Sequence, residues 1–211
     1  MLSMWGGTSK KRKRNEADDE EHSNQEPEKQ TNFNIYVNDN HIFFSEDMTT
    51  SSAFTLNKEL RNLEVKLRKE AITNKREPCI YLHLTTNGGC ITSAFSIIDC
   101  MESLCVPVHT VIDSNVSSAG TLVSIHGKKR YICKNSYILI HELRSGFWGK
   151  MTYLEENYKN CKKIQDHITG MYSKQTKMNK QKLNKILKQD LEFNALEAIQ
   201  MGIADEIYKG G

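Results

Sequence analysis

"CIYLHLTTNGG" (79–89) is the stretch that decides how this chain is read. Its first half, CIYLHL, is rich in the residues that favour a buried strand, and TTNGG then breaks the pattern. Glycine at the end of a strand permits positive φ and lets a ligand approach the backbone, so Gly88 and Gly89 are candidate anion binders through their N–H groups. The plainer alternative is an ordinary strand-to-helix turn. Directly afterwards Phe95, Ile98, Met101 and Leu104 recur at helical spacing, which predicts a helix over 93–104. A second strand, VPVHTVI (106–112), follows, with Pro107 near its start where a missing N–H is tolerated. Strand, helix and strand in succession point to an α/β domain.

Working outward, HIFF (41–44) reads as a short strand, and Leu56, Leu60, Leu63 and Leu67 predict a helix over 50–71. Downstream, VSSAGT (116–121) leads into the apolar turn LVSI, and RYICK and YILIHE read as two short strands. Residues 151–173 form a long helix whose narrow apolar stripe is Met151, Leu154, Tyr158, Cys161 and Ile168. A basic helix is expected over 179–189. Asn194 and Glu197 suit a capping box ahead of ALEAIQM, and Gly202 suits its stop.

Residues 1–32 differ in kind. A basic block, Lys10, Lys11, Arg12, Lys13 and Arg14, is followed by an acidic one, and so polar a tract buries too little apolar surface to offset its ordering entropy. The expected organisation is a disordered charged tail over 1–32 and one domain over 33–211. The basic block is either a nuclear localisation signal or a solvated tail. A net charge of +3 is too small to argue for nucleic acid. The six cysteines show neither CxxC spacing nor Cys/His clusters, so no metal is expected. No apolar run reaches membrane-spanning length, and no apolar segment precedes a cleavage site. The expected location is intracellular, cytoplasmic or nuclear, with reduced thiols.

Three residue types in order carry the chemistry. Ser118, in Ser118-Ala119-Gly120, enters a helix N-terminus, where free N–H groups and the helix dipole favour a developing oxyanion. It keeps only half of G-x-S-x-G, since Val116 holds the first glycine's place, and an N-cap serine is the plainer reading. His141 ends the apolar run YILI, suiting either a general base at a cleft or a satisfied structural histidine. Asp190 precedes LEFNALEA and alone reads as a surface or capping carboxylate. The order Ser, His, Asp is not that of an α/β-hydrolase, where the acid precedes the histidine.

Together these motifs resemble the proteolytic subunit of the Clp protease family over about residues 35–209. IYLHLTTNGG is similar to the family's strand into an Asn-Ser-Pro-Gly-Gly turn, and SSAGT to its Ala-Ser-Met-Gly-Ala. YILIH resembles its run into Ile-His, and DLEFNALEAIQMGIADEI its Asp-Arg-Phe-Leu-Ser-Ala-x-Glu-Ala segment. The resemblance implies a crotonase-like spiral of ββα units with 151–173 as a projecting handle helix. It implies a serine endopeptidase with Ser118 as nucleophile, His141 as base and Asp190 as orienting acid. The oxyanion hole would be Gly88, Gly89 and Ala119, and the substrate groove would include Leu143, Ser145, Gly146 and Phe147. Implied partners are polypeptide substrates, copies of this chain in stacked heptameric rings, and an AAA+ unfoldase. Neither metal nor cofactor is implied for this subunit, with ATP entering only through a partner ATPase. The chain departs from the family at Thr86-Asn87, which replace Ser-Pro, and at Glu142-Leu143, which replace Gln-Pro and put a carboxylate beside the base. The region of the family's axial loops is replaced by the charged tail and TNFNIYVNDN. The alternatives are a catalytically silent ring subunit and a crotonase-fold enzyme acting on acyl-CoA.

Overall fold

The computed structural model describes residues 34–74 and 77–210; the tail of residues 1–32, with the basic block, lies outside the described residues. In chain order the elements are β1 (Ile35–Asn38), β2 (His41–Phe44), α1 (Thr50–Asn74), β3 (Ile80–Thr86), α2 (Ile91–Ser103), β4 (Val108–Ser117) and α3 (Ala119–Ile125). Then come β5 (Arg130–Ile132), β6 (Tyr137–Leu139), α4 (Met151–Gln175), α5 (Lys180–Ile186), β7 (Glu192–Asn194), α6 (Ala195–Met201) and β8 (Glu206–Ile207). The fold is α/β, as the alternation of strand and helix patterns predicts.

One sheet runs in the order β1-β2-β3-β4-β5-β8, with β6 on β4 and β7 on β6. β1 pairs antiparallel with β2, and the run from β2 through β8 is parallel. β4 is the organising strand and is longer than the 106–112 segment expected from sequence. Its first half pairs with β5 through Thr110–Ile112, and its last three residues, Asn115–Ser117, pair with β6. A single strand thus serves two neighbours, and its second half carries the chain to Ser118.

The helical stripes land where their spacing puts them. Leu56, Leu60, Leu63 and Leu67 of α1 are buried with Ile98 and Met101 of α2 and with Ile42, Phe44, Ile80, Leu82 and Leu84 of the strands. Each such side chain contributes about 1.5–3 kcal/mol by leaving water. The cap of α6 is as expected: Asn194 accepts from Leu196 and Glu197, Glu197 accepts from the Asn194 N–H, and Gly202 closes the helix at φ 72°.

α4 departs from the pattern. Only Ile168, Thr169 and Tyr172, all in its C-terminal third, are buried, whereas Met151 and Tyr158 of the apolar stripe are 70% and 67% exposed. Among the described residues little packs on the first three turns of α4, and contact with the core begins at Ile164, in line with a projecting handle.

Arg130 clamps the end of the domain. Its Nη1 donates to the carbonyls of Gln175 (2.5 Å) and Gly202 (2.8 Å), and its Nη2 and Nε reach Asp205 at 2.5 and 3.2 Å. One guanidinium therefore ties the start of β5 to the ends of α4 and α6. Burial alone pushes the Asp205 carboxyl up, but the hydrogen bonds and charge of Arg130 outweigh it and hold the group below its ordinary value. A folded-state pKa below the unfolded one stabilises above the unfolded value and is lost as pH falls through the folded value. Asp205→Asn is therefore expected to lower the urea midpoint at pH 7, and the gap from wild type should close as the pH falls from about 4 to about 2. A gap that is constant over that range would mean the carboxylate charge is not what stabilises.

Candidate active site

Ser118 stands at the joint between β4 and α3. It is one of two described non-glycine residues with positive φ, at φ 54° and ψ −126°. Such a conformation costs on the order of 1–3 kcal/mol and persists only where surrounding bonds impose it. Those bonds are present: the Ser118 N–H donates to the Leu139 carbonyl (2.8 Å), and its carbonyl accepts from Thr121 N (3.0 Å) and Thr121 Oγ1 (2.7 Å). The Ser118 side chain makes no capping bond to α3, so the N-cap reading does not hold. A strained strand-to-helix serine is the geometry of a nucleophile elbow, reached here without the first glycine of G-x-S-x-G. Thr121 Oγ1 also meets the phenol of Tyr172, a residue buried on α4 whose burial pushes its own titration up. Helix α4 thereby braces the serine turn through Tyr172.

The close approach that Ser118 needs comes from Gly88. A Cβ there would lie 2.6 Å from Ser118 Cβ and 2.7 Å from the Ser117 carbonyl. At φ 94° and 131°, Gly88 and Gly89 both occupy the region that glycine alone enters freely. Gly88 donates its N–H to Thr86 Oγ1 (3.0 Å), so its part is to give room. Gly89 and Ala119, by contrast, line the cavity beside Ser118. Their N–H groups have no acceptor among the described residues.

His141 reaches the same cavity by strand pairing. Ser117 is in register with Leu139, so Ser118 and His141 follow the parallel ends of β4 and β6 and line one cavity. Parallel sheets place their ligand sites at such carboxyl ends. The cavity, of about 220 Å³, is lined by Ser118, Ala119, His141, Leu143, Arg144 and Tyr172 among others. His141 Nδ1 lies 2.6 Å from the Glu142 carbonyl and donates to it, since a carbonyl oxygen only accepts.

Asp190 sits elsewhere in the bonding scheme. Its Oδ2 accepts from Arg144 Nη2 at 2.6 Å. Among the described residues there is no hydrogen bond between Ser118 and His141 or between His141 and Asp190. Of the expected groove residues, Leu143 lines the cavity, with its N–H on Gln165 Oε1 (2.7 Å). Ser145, Gly146 and Phe147 are exposed on the irregular stretch leading to α4.

Sequence reasoning missed Arg144, because a lone arginine after a strand carries no signal until its partner is located. It also missed Cys90, whose exposed thiol adjoins Gly89 and is lowered to about 7 by hydrogen bonds with Ser93 and Thr92. Among the described residues no cluster of His, Cys, Asp and Glu is disposed to hold a metal, and no helix is long and apolar enough to cross a membrane.

A strained serine beside two backbone donors, with a histidine at the neighbouring parallel strand end, is the kind of site that acyl-transfer enzymes of α/β fold build. The family model described as Clp protease matches residues 23–211, and this chain belongs to the Clp protease family.

Proposed function

We propose that this chain is a serine endopeptidase that hydrolyses unfolded polypeptides inside an oligomeric chamber. The observation that carries the reading is Ser118 at φ 54°, on a strand-to-helix turn in one cavity with His141. In this mechanism Ser118 Oγ attacks the scissile carbonyl as His141 Nε2 takes the hydroxyl proton. The carbonyl oxygen becomes an oxyanion received by the N–H groups of Gly89 and Ala119. The same Nε2 proton then goes to the leaving amine, and water repeats the sequence on the acyl-enzyme. Asp190 holds the imidazole and stabilises its charged form once it faces Nδ1. No metal or nucleotide enters these steps.

The assembly part of the reading is supported by α4. An exposed apolar stripe at helical spacing is a face made for packing, and family membership points to copies of this chain as what it packs on. An AAA+ unfoldase is the partner that the family resemblance implies, and Lys10–Arg14 would serve as a nuclear signal. The full chain in its native assembly is expected to be labelled by a fluorophosphonate probe at one residue, and peptide mapping should place the label on Ser118. Absence of labelling in an assembled particle would favour the silent-subunit reading instead.

A further inference from the structure

We propose that Arg144 is a positioning residue that competes with His141 for the Asp190 carboxylate, and that an acidic side chain of the peptide substrate is what takes Arg144 over. This rests on the reading of Ser118, His141 and Asp190 as the reacting set.

The register of β6 and β7 points the base toward the acid. β6 and β7 pair antiparallel as Tyr137↔Asn194, Ile138↔Phe193 and Leu139↔Glu192. Two further steps along that register set His141 opposite Asp190. The ladder stops short of them, and the Glu142 N–H bonds the Leu187 carbonyl instead (2.7 Å). What the carboxylate meets is Arg144, at 2.6 Å, while the imidazole makes do with the neutral Glu142 carbonyl. For His141 to gain its acid, Asp190 must leave Arg144 and the imidazole must leave the Glu142 carbonyl.

That exchange is a small step. Arg144 and Asp190 are 67% and 60% exposed, so water and salt weaken their pairing. Their contact is a single hydrogen bond, using one of five guanidinium donors. A carboxylate that binds the guanidinium through both oxygens outcompetes one held through a single oxygen. Arg144 lines the cavity that holds Ser118 and His141, so a substrate side chain beside the scissile bond can reach it. Glu142 lines the same cavity with the opposite charge, which confines the preference to the one substrate position facing Arg144. Once released, Asp190 replaces a neutral acceptor at Nδ1 with a charged one, and charge-assisted hydrogen bonds are roughly twice as strong. The gain falls on the transition state, where the imidazole is cationic, so it belongs in kcat.

The test uses the full chain in its native assembly and a neutral peptide in which each position near the cleavage point carries Gln or, in a matched set, Glu. At one position Glu should exceed Gln by about two- to fivefold in kcat/KM, with a rise in kcat, the span expected for exchanging an exposed ion pair. Arg144→Gln should abolish that preference and raise kcat on the Gln peptide, and Asp190→Asn should remove both effects. The proposal is overturned if no position prefers Glu, if Arg144→Gln keeps the preference, or if it lowers kcat on the Gln peptide. Fluorophosphonate labelling separates the two levels. A labelled Ser118 without acid preference sinks this proposal alone, and an unlabelled Ser118 removes it together with the peptidase reading.

Discussion

Ser118→Ala is expected to lower peptide hydrolysis by about a millionfold, to the residual rate that binding and backbone donors sustain. Ser117→Ala should stay within a few-fold of wild type. The two serines are neighbours in sequence and opposites in role. Ser117 is the last residue of β4, buried and paired with Leu139, and its hydroxyl accepts from Asn115 Nδ2 (3.1 Å). Ser118 has left the strand, lines the cavity and has a side chain without a capping duty. Steady-state hydrolysis of an unstructured peptide by both variants settles the assignment. A large loss confined to Ser117→Ala would move the nucleophile by one residue and undo the account of the strained turn.

Gly88→Ala should also be damaging, by about 100-fold and by a different route. The added methyl would fall 2.6 Å from Ser118 Cβ, 2.7 Å from the Ser117 carbonyl and 3.0 Å from Ala119 N. Two of those three atoms are backbone and cannot swing aside. The positive φ of 94° adds a penalty on the order of 1–3 kcal/mol for any residue with a Cβ. Either the β3–α2 turn or the Ser118 turn must shift, and a displacement of about 1 Å at reacting groups costs on the order of 100-fold in rate. The variant should show a lower denaturation midpoint and a fall in kcat larger than the change in KM. Wild-type stability together with wild-type activity would contradict the packing of Gly88 against the serine.

Much of the architecture was legible because it is written locally. The leucine stripe of α1, the capping box of Asn194 and Glu197 and the stop at Gly202 depend on residues a few positions apart, and each falls where its pattern places it. β7 and β8 escaped notice because EFN and EI hold one apolar residue each, where RYI and YIL of β5 and β6 hold adjacent ones. The stripe of α4 was visible, but its fate was not. Met151, Leu154 and Tyr158 repeat correctly for a buried face, and spacing is silent on whether the cover comes from this chain or from another.

The α/β alternation, the glycine turn and the helix boundaries within a few residues are written in the chain itself, which also marks Ser118, His141 and Asp190 as candidates. The reason is that backbone propensity, capping and amphipathic spacing act over one or two turns. Long-range pairing is what lets β4 serve both β5 and β6, puts His141 and Ser118 on one cavity, and holds Ser118 at positive φ through a carbonyl twenty-one positions away. The tertiary structure also sets Asp190 against Arg144 rather than His141. These are matters of strand register and of charges competing across space, and no local pattern along the chain encodes either.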